Sequence, residues 1–172
     1  MKKTLILYWP EGGDTDCCAH KIFDTLTAEK ATIHSLEEIE VSIVKDYDQI
    51  IVGGSTIGAN NWKDAQKDNE WVHFLRKCRE EQVNLEGKKV AIFGLGDQIL
   101  YPNHFVDDMA DIYHALVAFG AKVVGEWPAE AYRFSASKAL INNKFLGLAL
   151  DETNESEKSD ERITKWLEML QF

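Results

Sequence analysis

The sequence is poor in several features that mark particular classes of protein. It has only three cysteines, Cys17, Cys18 and Cys78, and no pair of them has the C-x-x-C spacing of a metal or redox site. An odd, low count argues against a disulfide framework and favours a reducing compartment. No apolar run approaches the roughly 20 residues that span a bilayer, and the apolar run at the N-terminus is too short for a signal peptide. We therefore expect a cytoplasmic protein with no membrane partner.

Positive charge is also scarce. The chain has 19 Lys and Arg against 29 Asp and Glu, which gives a formal net charge of -10. Nucleic acid is therefore not an expected partner, because phosphate backbones are bound by Lys and Arg. An acidic surface suits protein partners with basic docking surfaces, although it also serves solubility alone. Of the 172 residues, 45% are hydrophobic and 28% are charged, which predicts one globular domain over residues 1–172.

Short, continuous apolar runs alternate with stretches of helical periodicity. The runs "TLILYW", "QIIVGG" and "KVAIFGLG" cover residues 4–9, 49–54 and 89–96, with a weaker run at 121–127 and a candidate edge strand at 31–36. Helical spacing of apolar residues occurs at 15–29, 66–80, 104–119 and 159–171, the last with Ser159 as its candidate N-cap. Runs without polar alternation indicate strands covered on both faces. The pattern predicts an α/β three-layer sandwich, a five-stranded parallel sheet with helices on both faces.

One segment interrupts this alternation. Residues 126–150 read "EWPAEAYRFSASKALINNKFLGLAL", which fits neither a single helix nor a single strand. We predict an excursion from the sheet over about 126–146, closed by a short strand in "FLGLAL".

Ligands of open α/β sheets bind beyond the carboxyl ends of the strands, and three loops of this sequence are predicted to meet there. The first loop precedes a helix and contains Pro10, Glu11, Gly12, Gly13, Asp14 and Thr15. The second loop contains Ser55, Thr56, Ile57 and Gly58. The third contains Gly94, Leu95, Gly96, Asp97 and Tyr101.

The chemistry of these loops suits a flat heterocycle that carries a phosphate. Backbone N–H groups at a helix start can hold an anion without a cationic side chain, and the adjacent glycines let the backbone approach it. Tyr101 offers a stacking surface and Asp97 a polar anchor for a planar ring. Gly94-Leu95-Gly96 lacks the third glycine of a dinucleotide fingerprint, which argues against a dinucleotide.

Two long stretches give the chain a clear resemblance to a known family. "GLGDQILYPNHFVDDM" and "SKALINNKFLGLALDETNESEKSDERITKWL" resemble flavodoxins of the long-chain type, and "MKKTLILYW" and "IIVGGSTIGANNW" match them more loosely. The resemblance covers essentially the whole chain. It implies a flavodoxin-like fold, for which strand order 2-1-3-4-5 with FMN at the switch point is a known example.

The resemblance also implies a function. Flavodoxins bind FMN non-covalently and carry single electrons between redox enzymes. We therefore expect this protein to be a low-potential electron carrier rather than an enzyme. We expect it to be a monomer whose partners are a reductase and an electron acceptor. The resemblance implies that the three loops bind FMN, with Tyr101 stacked on the flavin ring and Asp97 near the pyrimidine edge of that ring. It also implies two further site residues within the matching stretches, Phe105 and Asp151. Docking is expected to use acidic residues such as Asp64, Asp68, Asp107 and Asp108.

The first loop departs from the family pattern Ser/Thr-x-Thr-Gly-x-Thr, which only Gly13 and Thr15 match. Each lost charge-assisted hydrogen bond costs roughly 1.5–3 kcal/mol if nothing replaces it. Either FMN binds more weakly than is typical, or Gly12 lets additional backbone N–H groups face the phosphate. Two other functions stay open on these grounds, a flavodoxin-fold binding or regulatory module with weak or lost FMN binding, and a small FMN-dependent reductase.

Overall fold

The computed structural model describes residues 3–55 and 69–172. The strands are β1 (Thr4–Tyr8), β2 (Ala31–Ser35), β3 (Gln49–Ser55), β4 (Lys89–Leu95), β5 (Lys122–Val124), β6 (Trp127–Pro128), β7 (Leu140–Ile141), β8 (Lys144–Phe145) and β9 (Leu148–Leu150). The α-helices are α1 (Asp14–Leu26), α2 (Glu70–Glu80), α3 (Asp108–Ala118) and α4 (Glu152–Leu170), and two short 3-10 helices lie at Leu36–Glu38 and Val41–Asp46.

The main sheet is parallel and has the order β2-β1-β3-β4-β5. Alternate residues of its central strands face two separate hydrophobic clusters. One cluster joins Ile6 and Ile51 to α1 and α4, and the other joins Leu7 and Val52 to α2 and α3. Both faces are therefore covered, as continuous apolar strands require, and the predicted three-layer α/β fold is confirmed.

The fifth position of the sheet is shared by two strands. β5 pairs with Lys89–Ala91 at the beginning of β4, whereas β9 pairs with Phe93–Leu95 at its end. The chain leaves the sheet between them and forms a small antiparallel sheet in the order β6-β8-β7. It returns through Gly147, where a Cβ atom would lie 2.0 Å from the Ile92 carbonyl oxygen, so only glycine fits there.

Helix boundaries differ from the sequence prediction where polar residues decide them. α4 begins at Glu152 instead of residue 159, because the side chain of Asp151 accepts a hydrogen bond from the Asn154 N–H and caps the helix. Ser159, the predicted cap, lies buried inside the helix. The buried face of α4 begins with Glu155, Ser159 and Arg162, so apolar periodicity alone could not reveal its first two turns.

Candidate functional site

The first loop connects β1 to α1 and is largely exposed. Residues 11–14 are exposed, Pro10 is half-buried, and Thr15 is buried with 1% of its surface exposed. Gly12 has a φ of 76°, a left-handed conformation that glycine adopts without strain. Its N–H donates to the Asp16 Oδ2 at 2.8 Å. The Gly12 N–H is therefore engaged by a carboxylate of the chain, and the alternative that Gly12 lets additional backbone N–H groups face a phosphate stays a prediction.

The start of α1 retains free hydrogen-bond donors. Gly13 is the N-cap and provides no side-chain cap. The N–H groups of Asp14 and Thr15 belong to the first turn, where an α-helix offers no internal acceptor, and neither donates to another residue that the structure describes. These donors, together with the helix dipole, favour an anion at this point.

A cleft of about 160 Å³ lies at the carboxyl end of the sheet. It is lined by Pro10, Gly13, Asp14, Thr15, Ser55, Leu95, Gly96 and Thr153. The structure thus brings together residues from all three predicted loops. Thr153, from the first turn of α4, was not predicted. A whole ligand usually occupies roughly 300–1,000 Å³, so this cleft accommodates only part of a mononucleotide.

Acidic groups dominate the electrostatics around the cleft. Burial, followed by the nearby Glu152 and Asp151 carboxylates, raises the pKa of Asp14 above its usual range. Burial and the neighbouring Asp16 raise the pKa of Tyr8 to about 12. None of the lining residues within the described ranges is cationic. Lys21, one helical turn or more away on α1, lies 3.0 Å from Asp160. Among the described residues, the groups at the cleft that can hold an anion are therefore N–H and hydroxyl donors.

The third loop is buried at Asp97 and Gln98 and is hydrogen-bonded within the protein. The Asp97 Oδ1 accepts from the N–H groups of Ile99 at 3.0 Å and Leu100 at 2.8 Å, and from the Asn154 Nδ2 at 2.8 Å. Burial alone would raise the pKa of Asp97, but these hydrogen bonds outweigh it and hold the pKa below its usual range. The carboxylate is therefore ionised at neutral pH and fixes the turn that leads to Tyr101.

Gln98 connects the third loop to the start of α4 and to the excursion. It is fully buried, and both its N–H and its Nε2 donate to the Asp151 Oδ2 at 3.0 Å. Its Oε1 accepts from the N–H of Arg133 in the excursion. Asn154 in turn donates to both Asp151 and Asp97. The sequence prediction missed Gln98 and Asn154, although buried amide side chains beside a helix start are a usual means of satisfying such backbone groups.

Several predicted site residues do not line the cleft. Asp151 is fully buried and bound to Gln98 and Asn154, so it caps α4 and supports the loop. Phe105 is also fully buried, 5.7 Å between ring centroids from Phe134, within an aromatic cluster. Gly94 is buried against Met109, where a Cβ would lie 2.7 Å from the Met109 Cγ. Glu11, Gly12 and Asp97 adjoin the lining residues in sequence, whereas Tyr101 lies five positions after Gly96.

Tyr101 is 39% exposed and follows Ile99 and Leu100, which are also exposed. Its N–H donates to the Asp97 carbonyl at 3.0 Å, which holds the ring on an ordered turn.

In the second loop, Ser55 lines the cleft. The predicted residues Thr56, Ile57 and Gly58 lie outside the described residues, as do Asp64 and Asp68.

The docking role predicted for Asp107 is wrong. Asp107 is only 1% exposed; its Oδ1 accepts from the Lys138 N–H at 2.7 Å and its Oδ2 lies 3.1 Å from the His104 Nδ1. Its neighbour Asp108 is half-buried. Burial and the nearby Asp111 and Asp107 raise the pKa of Asp108 to about 7, against the opposing effect of Lys138.

The described ranges contain no group of three or more His, Cys, Asp or Glu side chains that could hold a metal ion. In the same ranges, every helix is too short or too polar to cross a bilayer.

Comparison with known proteins agrees with this architecture. Residues 6–166 match the family described as Flavodoxin. A flavodoxin from Nostoc sp. is 36% identical over 169 residues, covering 98% of this chain and 95% of that protein. Flavodoxin 2 from Escherichia coli is 37% identical over 158 residues, covering 91% and 87% respectively.

A solved structure extends the likeness to three dimensions. The crystal structure of Fusobacterium nucleatum flavodoxin bound to flavin mononucleotide superimposes with a TM-score of 0.85 at 26% identity, covering 99% of this chain and 98% of that one. The family match spans most of the chain, and the relatives exceed 30% identity over nearly its full length. The strand order, the shared fifth position and these matches together establish that the chain belongs to the flavodoxin family.

Proposed function

We propose that this flavodoxin binds FMN non-covalently at the cleft and carries single electrons between redox proteins, without being an enzyme in its own right. The observation that carries the proposal is the meeting of free helix N–H groups and the Asp97–Tyr101 loop at one end of the sheet. The family assignment supports it, as does the FMN bound by the Fusobacterium relative.

The described residues fit the phosphate end of FMN. The N–H groups of Asp14 and Thr15 and the Thr15 hydroxyl are hydrogen-bond donors on residues that line a cleft of about 160 Å³. A volume of this size holds a phosphate and part of the ribityl chain. The flavin ring would then extend toward the third loop, where Tyr101 offers an aromatic face and Leu95-Gly96 a backbone edge.

The residues around the cleft favour a low reduction potential. Bound FMN supplies the electron chemistry, and the protein sets its energetics. Asp97 stays ionised because its pKa is lowered, and the whole chain has a net charge of -10. Additional negative charge on the flavin is disfavoured in such surroundings.

Exposed apolar residues beside the site suit transient docking of a redox partner. Ile99 is 51% exposed and Leu100 is 67% exposed, on the same turn as Tyr101. Glu11 and Asp14 add exposed negative charge at the first loop. We infer a partner surface that is apolar at its centre and basic at its rim, and electron transfer that slows as salt increases. All three cysteines are free, which suits the proposed cytoplasmic location.

FMN titration tests the proposal. Stepwise addition of the protein to FMN, followed by flavin fluorescence, is expected to show quenching that saturates at one FMN per chain. Reductive titration of the complex is then expected to give a potential below that of free FMN. Turnover of NADPH with a quinone by the FMN complex alone would contradict the carrier role and favour a small reductase.

One observation favours the alternative function, a flavodoxin-fold binding or regulatory module with weak or lost FMN binding. The Asp16 carboxylate accepts the hydrogen bond of the Gly12 N–H and places negative charge beside the first loop. If the FMN titration shows no quenching while the far-ultraviolet circular dichroism shows a folded protein, the FMN-binding proposal fails and this second function takes its place.

A further inference from the structure

A second pocket lies between the excursion and the middle of α4. It has a volume of about 350 Å³ and is lined by Trp127, Pro128, Glu130, Ala131, Tyr132 and Arg162. It shares no lining residue with the cleft at the end of the sheet. Arg162 follows Thr153 of that cleft by nine positions, which is about two and a half turns along α4. The pocket is therefore a separate place, and its volume lies in the range that small ligands occupy.

Arg162 is a buried charge whose hydrogen-bond donors are only partly used. The residue is 7% exposed, and its Nη2 lies 2.8 Å from the Glu155 Oε2. Its Nη1 is buried and has no hydrogen-bond partner among the residues that the structure describes. Buried polar atoms are almost always paired, and leaving a charged donor unpaired is especially costly. The Nη1 group therefore indicates an acceptor that comes from outside the chain.

The guanidinium of Arg162 is held in a fixed orientation. Its Cζ lies 4.2 Å from the centroid of the Tyr132 ring, a cation–π contact. Tyr132 is itself buried, and its hydroxyl donates to the Ala149 carbonyl at 2.6 Å. The ring on one face and Glu155 at Nη2 together restrict rotation of the guanidinium. A fixed, planar set of N–H donors matches the geometry of a carboxylate.

Two cations share a single carboxylate at this point of α4. The Glu155 Oε1 lies 2.7 Å from the Lys158 Nζ, while its Oε2 faces Arg162. Burial alone would raise the pKa of Glu155, but the hydrogen bonds from Lys158 and Arg162 outweigh it and lower the pKa to about 2. One positive charge is thus left over, which favours an anion. Glu130 also lines the pocket, but it is exposed and water screens its charge.

The remaining walls of the pocket are apolar or aromatic. Trp127 is partly buried against both hydrophobic clusters of the fold, and Pro128 and Ala131 are exposed beside it. We propose that this pocket binds a small aromatic carboxylate, whose carboxylate accepts from the Arg162 Nη1 and whose ring packs on Trp127 and Pro128. The inference goes beyond electron transfer and does not depend on FMN binding. It gives the excursion a role, because the excursion forms the walls while α4 provides the charge.

Titration of the full chain with phenylacetate, followed by calorimetry, tests the inference. Saturable binding of one phenylacetate per chain is expected, with a dissociation constant of about 1 mM or below for a ligand of this size. Phenylacetamide has the same shape without the charge, and it is expected to bind about tenfold more weakly, since charge-assisted hydrogen bonds are the stronger ones. Both titrations are repeated with one equivalent of FMN, which is expected to leave the affinities unchanged.

Two matched variants locate the binding. Ala131→Leu fills part of the pocket from an exposed position and is expected to weaken phenylacetate at least tenfold. Ala136→Leu makes the same change at an exposed position of the excursion that does not line the pocket, and it is expected to have no effect. Arg162→Lys keeps the charge but removes the planar donors, and it is expected to weaken binding as much as Ala131→Leu does.

Nitrogen–proton correlation spectra of the wild type provide a readout that does not depend on how the variants fold. Phenylacetate is expected to shift the Trp127 indole signal and the amides of residues 129–132, and to leave the amides of Gly13 to Thr15 unchanged. Absence of saturable binding, equal affinity for phenylacetamide, or shifts at residues 13–15 instead would each overturn the inference. FMN binding by the same protein would stand in all three cases.

Discussion

The first and third loops border the same cleft but are held in opposite ways. Residues 11–14 of the first loop are exposed, and its side-chain contact is the hydrogen bond from Gly12 to Asp16. In the third loop, Asp97 and Gln98 are buried and accept or donate hydrogen bonds through their side chains. One loop thus keeps its donors available, whereas the other uses its polar groups to fix its own conformation.

This difference separates two requirements of a binding site. A phosphate needs unpaired donors, and these are tolerated only where water can reach them in the absence of a ligand. A flavin ring needs a rigid surface, and a fully satisfied buried polar network provides rigidity. We infer that the third loop is formed before FMN binds and that the first loop adjusts to the phosphate.

The largest expected effect comes from Asp151→Ala compared with Asp14→Ala. Asp151→Ala removes the cap of α4 and leaves buried donors of Gln98 unpaired, so the free energy of unfolding should fall by about 3 kcal/mol. Asp14→Ala changes an exposed carboxylate of the first loop and should shift stability by no more than about 0.5 kcal/mol. Urea unfolding of the FMN-free proteins at pH 7.5 measures both. Equal losses would show that the two loops are held alike.

A pH-dependent effect is expected from Asp108→Asn, just beyond the third loop. The pKa of Asp108 is raised to about 7 in the folded protein, against about 4 in an unfolded chain. The folded state therefore binds this proton more tightly, and the group makes the protein less stable as pH rises from about 4 to about 7. Three pKa units correspond to about 4 kcal/mol, and partial exposure of the carboxylate reduces this. Asparagine should therefore relieve a destabilisation of roughly 2–4 kcal/mol above pH 7.5.

The measurement is urea unfolding of wild type and Asp108→Asn at several values between pH 5 and 8.5. The stability difference should be greatest at pH 8.5 and should shrink toward pH 5. Asp14→Asn provides the comparison from the first loop, where greater exposure screens the charge and a smaller pH dependence is expected. A constant difference across this range would contradict the raised pKa of Asp108.

The smallest expected effect is on ligand affinity at the first loop. Asp16→Asn keeps an oxygen that accepts the Gly12 N–H but removes a negative charge near the proposed phosphate position. FMN should bind about two- to fivefold more tightly, corresponding to roughly 0.5–1 kcal/mol for a partly exposed charge. Riboflavin affinity should not change. Asp24→Asn, an exposed position on the same helix, is the matched control. A gain for riboflavin as large as that for FMN would show that Asp16 acts on loop shape instead of on the phosphate.

Several features of the fold followed directly from sequence patterns. Continuous apolar runs at 4–9, 49–54 and 89–96 correspond to β1, β3 and β4, because a strand covered on both faces has no polar alternation. The cleft also includes Pro10, Gly13, Ser55 and Gly96 as predicted, because the carboxyl ends of parallel strands share one edge. The order of strands and loops along the sequence was therefore enough to predict that these residues meet.

The polar interior could not be predicted in the same way. Glu155, Ser159 and Arg162 occupy the buried face of α4, where Arg162 lies 2.8 Å from Glu155. Apolar periodicity does not reveal such a helix face, so the sequence prediction placed the start of α4 seven residues too late. Gln98 and Asn154 were missed for a related reason, because a buried amide is recognisable only once its partners are known.

The sequence by itself determined the layers of the fold, the order of the loops and the acidic character of the site, because these depend on local periodicity and on charge. Only the tertiary structure decided that Thr153 meets Thr15 at one cleft, and that Asp151 supports the site from beneath instead of lining it. Thr15 and Thr153, for example, are more than 130 positions apart in the sequence. Hydrogen bonding and burial between such distant segments depend on how strands and helices pack, which no local pattern encodes.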